Sequence, residues 1–140
     1  MSTDENKALA NRWTEEIWNQ GNMAAVDALC APNFTFNYPF PGMQPNSDSY
    51  KKVVVAYRTA FHSLHLTNEI VIAEGDMVAL RWVGQSVHQG EFMGIAPTGK
   101  KLTMTGNTIA RIEGGKIAEE WTEMDGLGLM QQIGAIPSSG

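Results

Sequence analysis

A chain of 140 residues, 43% hydrophobic and 18% charged, has the size and composition of one folded domain with one core, and these proportions exclude extended disorder. Its formal net charge of −5 argues against nucleic acid or an anionic membrane as partner, because both call for a basic patch. The acidity reads as solubility.

The polar start Met1-Ser2-Thr3-Asp4-Glu5-Asn6 has neither the basic nor the apolar region of a signal peptide. Leu9, Trp13 and Ile17 then recur at helical spacing and predict a first amphipathic helix from about Asp4 to Asn19. Gly21-Asn22 ends it. Val26 and Leu29 give a second helix an apolar face, and Pro32 stops it. Cys30 lies in this apolar pattern and is expected to pack rather than react. As the sole cysteine it excludes an intrachain disulfide. With no apolar run near the ~20 residues of a membrane span, a cytoplasmic protein is expected.

Phe34-Thr35-Phe36-Asn37-Tyr38 alternates aromatic and polar residues, as a short strand does. Pro39, Pro41, Gly42 and Pro45 make the following loop stiff. Ser47 or Asp48 can cap a third helix whose face carries Val54, Tyr57, Phe61 and Leu64. After His65 the pattern becomes extended. Leu66 to Glu74 and Met77 to His88 form a hairpin about Gly75-Asp76. Gly90, Gly94, Pro97, Thr98 and Gly99 break the next stretch into a loop. Lys101 to Glu113 and Lys116 to Met124 form a second hairpin about Gly114-Gly115. Asp125 can cap a last helix bearing Leu127, Leu129, Met130 and Ile133, which Gly134 ends. The predicted domain spans residues 1–134, with 135–140 a flexible tail.

Three helices with one strand among them, followed by an antiparallel meander, give an α+β fold. One face of such a sheet packs on the helices, and a long twisted sheet wrapped round them leaves an open apolar concavity.

Four segments carry a family resemblance. They are Gly75-Asp76-Met77-Val78-Ala79-Leu80-Arg81-Trp82, the loop from His88-Gln89-Gly90 through Gly94 to Pro97-Thr98-Gly99, the ending Gly115-Lys116-Ile117-Ala118-Glu119-Glu120-Trp121 with Asp125, and the early Trp18-Asn19-Gln20-Gly21-Asn22. In this order they resemble the SnoaL-like polyketide cyclases over almost the whole chain. The resemblance implies a cone-shaped barrel of a curved, mixed β-sheet wrapped around N-terminal helices, as in nuclear transport factor 2. It implies a homodimer formed through the sheet, a small hydrophobic ligand, and aldol-type ring closure or isomerisation of a carbonyl compound without metal or organic cofactor. The chain departs from the family where Phe61-His62-Ser63 replaces Phe-Pro-Asp, Asn37 replaces a histidine, and Thr122 follows Trp121 in place of aspartate.

Such chemistry needs a base, an oxyanion donor and walls that exclude water. The expected catalytic set is Asp125, Glu123 and His88. Asp125 closes the last strand, where an acid/base role competes with helix capping. A period of two puts Glu119, Trp121, Glu123 and Asp125 on one face of that strand and Glu120, Thr122 and Met124 on the other, and the pattern leaves open which is inward. His88 suits either proton transfer or loop anchoring. Substrate contacts are expected from Trp13, Asn37, Tyr57, Phe61, Arg81, Phe92, Asn107 and Trp121, with Met93, Met104, Met124 and Met130 as adaptable lining. Arg81 also suits a bridge to Glu119. His62 and His65 have ligand-like spacing but no third partner, so no metal is expected. Two further readings stay open. One is a non-catalytic binding module of the same fold. The other is water addition to an epoxide, for which Arg81 with Asp125 is a partial match.

Overall fold

A computed structural model describes residues 2–137, so residues 138–140 of the tail expected at 135–140 lie outside the described residues. Helix α1 spans Thr3–Arg12 and opens on a capping box between Ser2 and Glu5. It runs on into a π-helix, Trp13–Asn19, where one continuous α-helix is expected. Helices α2 (Met23–Leu29) and α3 (Ser47–Ala60) follow, separated by strand β1 (Cys30–Phe36). Strands β2 (Phe61–Glu74), β3 (Met77–His88), β4 (Lys101–Glu113) and β5 (Lys116–Met124) form the meander, and α4 (Gly126–Gln132) closes the chain.

The sheet order is β1-β5-β4-β3-β2, with β1 parallel to β5 and every other pair antiparallel. The curved sheet is open, ending on β1 at one edge and β2 at the other. Three of the four meander strands, β3, β4 and β5, fall on the residues that the turn signals delimit, because both hairpins carry glycines at positive φ.

Two boundaries differ from expectation. The third helix stops at Ala60, and Phe61 and Leu64 belong to β2 rather than to a helical face. The Ala60 carbonyl accepts the N–H groups of both Gln89 and Gly90, and Phe61 pairs with His88, so sheet pairing overrides the helical spacing. Cys30 begins β1 instead of ending α2, and burial pushes its thiol up to about 12, consistent with packing.

Two clusters fill the inner side of the sheet. The larger joins Leu9, Trp13, Ile17, Val26, Tyr50 and Val54 to Leu80, Ala110 and Ile117. The smaller joins Phe61, Leu64, Trp82, Phe92 and Met104 to Leu129 of α4 and to Ile133, which caps its C-terminus. Asn19 ties the π-helix to β2: its Oδ1 accepts the Leu66 N–H at 2.7 Å and its Nδ2 donates to the Leu66 carbonyl at 3.0 Å. Asn19→Ala leaves both groups of a half-buried strand residue unpaired. It should cost about 1–3 kcal/mol, read from urea unfolding midpoints at unchanged m-value.

Candidate functional site

Between the two clusters runs a narrow cleft. Its walls are Trp13 and Trp18 from the π-helix, Tyr38 from the segment after β1, Tyr57 from α3, and Leu64, Leu66, Leu80, Trp82, Met104, Thr108, Thr122 and Met124 from the sheet. No charged side chain is among its lining residues.

The π-helix sets one wall. Residues five apart on an α-helix point about 140° away from each other. In i→i+5 geometry they share one face. The Gln20 N–H to Glu15 carbonyl bond belongs to that pattern. Trp13 and Trp18, five apart, therefore face the same way, and both indole N–H groups donate to the Tyr50 hydroxyl at 2.9 Å. Arg58 holds the end of this helix by donating to the Trp18 and Asn19 carbonyls.

Behind the cleft lies Glu120, 4% exposed. Its Oε1 accepts the Tyr38 hydroxyl at 2.7 Å and the Thr122 hydroxyl at 3.0 Å. Its Oε2 is buried without a partner. The Thr122 oxygen lies 2.8 Å from that of Thr108, which accepts the Trp82 indole N–H at 3.0 Å. Trp82 can lie there because β4 carries Gly106 beneath it. A Cβ at that position would come within 2.3 Å of the indole.

Burial raises the Glu120 carboxyl above the usual glutamate range, and the hydrogen bonds it accepts, that from Tyr38 first, offset only part of that. Tyr38 and Tyr50 are held well above the usual phenol value, first by burial and then by the neighbouring Glu120 charge. Both remain protonated donors across the neutral range.

The expected residues divide sharply. Trp13 and Tyr57 line the cleft, as do Met104 and Met124. Phe61 and Phe92 are buried 4.8 Å apart and pack against Tyr57, supporting the wall from behind. Arg81, Asn107, Trp121 and Glu123 stand on the outer face. Arg81 pairs in register with Asn107, Asn107 with Glu123, and Trp121 with the exposed Ile109. Arg81 makes only a long contact, 3.5 Å, with Asn107, while the pairing with Glu119 goes to Arg111 at 3.6 Å. Asn37 is exposed and accepts the Thr122 backbone N–H at 2.8 Å, fastening the end of β1 to β5. Asp125 is exposed and caps α4 by accepting the Gly128 N–H at 2.8 Å. His88 is fully buried outside the cleft lining; its Nδ1 accepts the Thr98 N–H at 3.3 Å and lies 3.1 Å from the Thr98 hydroxyl, pinning the loop between β3 and β4. Met93, at 75% exposure, stands outside as well. No group of three His, Cys, Asp or Glu residues suited to a metal ion occurs among the described residues.

Sequence reasoning did not single out Glu120, Tyr50 or Thr122 as site groups. The available signal was the apolar inner set of β4, Leu102, Met104, Ala110 and Ile112, against which Glu120 pairs at Ala110.

The chain is a member of the SnoaL-like polyketide cyclase family, whose sequence pattern matches residues 8–133. Among solved structures it resembles AclR of Streptomyces galilaeus, a candidate hydroxylase, at 29% identity and TM-score 0.86, over 99% of this chain and 87% of that one. A candidate polyketide cyclase of Acidithiobacillus ferrooxidans is 29% identical at TM-score 0.82, over 96% and 99% of the two chains. IdmH of Streptomyces antibioticus, also a candidate polyketide cyclase, is 27% identical at TM-score 0.81, over 92% and 98%. No curated protein matches the chain. The described residues include no helix long and apolar enough to cross a membrane.

The raised Glu120 value has a consequence for stability. A carboxyl whose native value lies above its unfolded value binds its proton more tightly when folded, so stability is lost as pH rises through the native value. Glu120→Gln has no such loss. Thermal midpoints of wild type and E120Q should converge at acid pH, with the variant gaining on wild type from the ordinary glutamate range upward. Parallel curves would contradict a buried, ionising Glu120.

Proposed function

We propose that the protein is a cofactor-free acid/base enzyme acting on a small hydrophobic carbonyl compound, by aldol-type cyclisation or isomerisation. The observation that carries this reading is Glu120: a buried carboxyl with only hydroxyl partners, set behind an apolar cleft. Desolvation makes a carboxylate a stronger base near neutral pH. The aromatic walls exclude water and suit a flat substrate. Tyr38 supplies the hydroxyl nearest the carboxylate among the cleft residues, and is the donor for a developing enolate oxygen.

Asp125, Glu123 and His88 are the alternative bases. Two are exposed and one is engaged with the Thr98 loop, so Glu120 is preferred. The test is proton exchange at the α-carbon of 2-tetralone in D2O, followed by NMR. E120Q should lose roughly a hundredfold or more of the catalysed rate. Asp125→Asn and Glu123→Gln should keep it within a few-fold, since asparagine still caps a helix. The opposite pattern would move the base to the end of β5.

The homodimer is proposed to form through the outer face of the sheet. Ile70, Ile72 and Ile109 are 52%, 60% and 44% exposed there, beside the half-buried Trp121. Apolar side chains gathered on one open sheet face favour burial against a second copy. Ile72→Lys with Ile109→Lys should give a monomer in light scattering at a concentration where wild type is dimeric.

A further inference from the structure

Glu120 has a geometric difficulty as a base. It is buried behind the cleft and is not one of the side chains that line it. Its Oε2 meets no polar partner. Its Oε1 meets two, and both of those line the cleft: the hydroxyls of Tyr38 and Thr122. A proton passing between a bound ligand and Glu120 has to cross one of them.

The direction of the hydrogen bonds separates the two. An indole N–H can only donate, so the Thr108 oxygen accepts from Trp82. Thr122 turns its one proton to Glu120. The Thr108 hydroxyl is therefore the donor across the 2.8 Å to the Thr122 oxygen. The chain Trp82, Thr108, Thr122, Glu120 thus has a single polarity, each hydroxyl accepting from the residue before it and donating to the one after. Thr122 keeps a lone pair for the cleft, because a hydroxyl oxygen has two and Thr108 occupies one. Tyr38 lies outside this chain.

Resting on the reading of Glu120 as the base, we infer that Thr122 is a catalytic proton relay, the group that takes the substrate proton and passes its own to Glu120. In the forward step the α C–H bond of the substrate breaks and its electron pair stays on the substrate as an enolate. A new O–H bond forms at Thr122 as its old proton moves to Glu120 Oε1. The negative charge has then left the carboxylate for the enolate oxygen. Tyr38 loses its ionised acceptor at the same moment and turns its hydroxyl to that oxygen. Reversal returns the proton to the product, so no external acid or base is consumed.

Loss of label from α-tritiated 2-tetralone in H2O–D2O mixtures tests the inference. Thr122→Val should lower the rate by roughly a hundredfold, as removal of a general acid/base group does. Thr122→Ser should restore it to within a few-fold. The double variant T122V/E120Q should be no slower than either single one, since the two groups act as a unit. In wild type the rate should fall linearly with the deuterium fraction of the solvent, reporting the one exchangeable proton that moves from Thr122 to Glu120, and the residual rate of T122V should not vary with it. A structural role for Thr122 would move the melting temperature without changing that dependence. Should T122V fail to fold, Thr122→Ala carries the same comparison. Loss of activity in E120Q with T122V at wild-type rate overturns the relay and leaves Glu120 as the base. Wild-type rate in E120Q, or a wild-type protein inert toward 2-tetralone, overturns both.

Discussion

The structure turns on a carboxyl group kept in an apolar interior with hydroxyls as its hydrogen-bond partners. A cation beside Glu120 would stabilise its charge and hold its basicity down. Burial without one does the reverse. The surroundings show what this requires. Tyr38 and Thr122 come from different elements and meet on one oxygen. Tyr50 is fixed nearby by two indoles, and Trp82 anchors the threonine pair. Few buried carboxylates are held in this way, because the cost of removing charge from water is seldom met by neutral donors. Where it is tolerated, the energy lost to stability reappears as reactivity toward protons.

Much of the fold was legible because it rests on local signals. Gly75 in one turn and Gly114-Gly115 in the other supply the positive φ of tight turns, and they locate β3, β4 and β5. Asp125 is the helix cap that its position suggests. Less legible was the end of α3. Val54, Tyr57, Phe61 and Leu64 follow helical spacing, yet the last two lie on β2, because pairing with the end of β3 is a long-range contact. The π-helix was hidden for a related reason. Leu9, Trp13 and Ile17 fit an α-helix equally well, and the added turn width appears in the bond from Gln20 to Glu15 and in how Trp13 and Trp18 converge.

The site was less legible than the fold, and one irregularity explains most of the gap. From the Gly114-Gly115 turn, pairing runs Glu113 with Lys116 and Ile112 with Ile117. Continued without interruption it would set Glu119 opposite Ala110. The register instead shifts between Arg111 and Ile112, so that Glu120 opposes Ala110 and Glu119 opposes Arg111. Ile117 and Ala118 are both buried at the shift. A single extra residue therefore decides which of two adjacent glutamates enters the core and which joins a surface ion pair. Nothing in the run Ala118-Glu119-Glu120 marks that choice, and the family's Trp-Asp pattern drew notice to Thr122 without revealing its partner.

Gly106 gives this arrangement an unusual kind of dependence. It contributes no functional group, yet the indole that begins the hydroxyl chain rests in the space its missing side chain leaves. The cleft's shape is thus held by an atom that is not there. Along any line of descent from this protein, the tuning of the acid and its hydroxyls is free to drift only while that vacancy is kept. A survey of the site's chemistry through its polar residues would pass over the position on which their spacing rests.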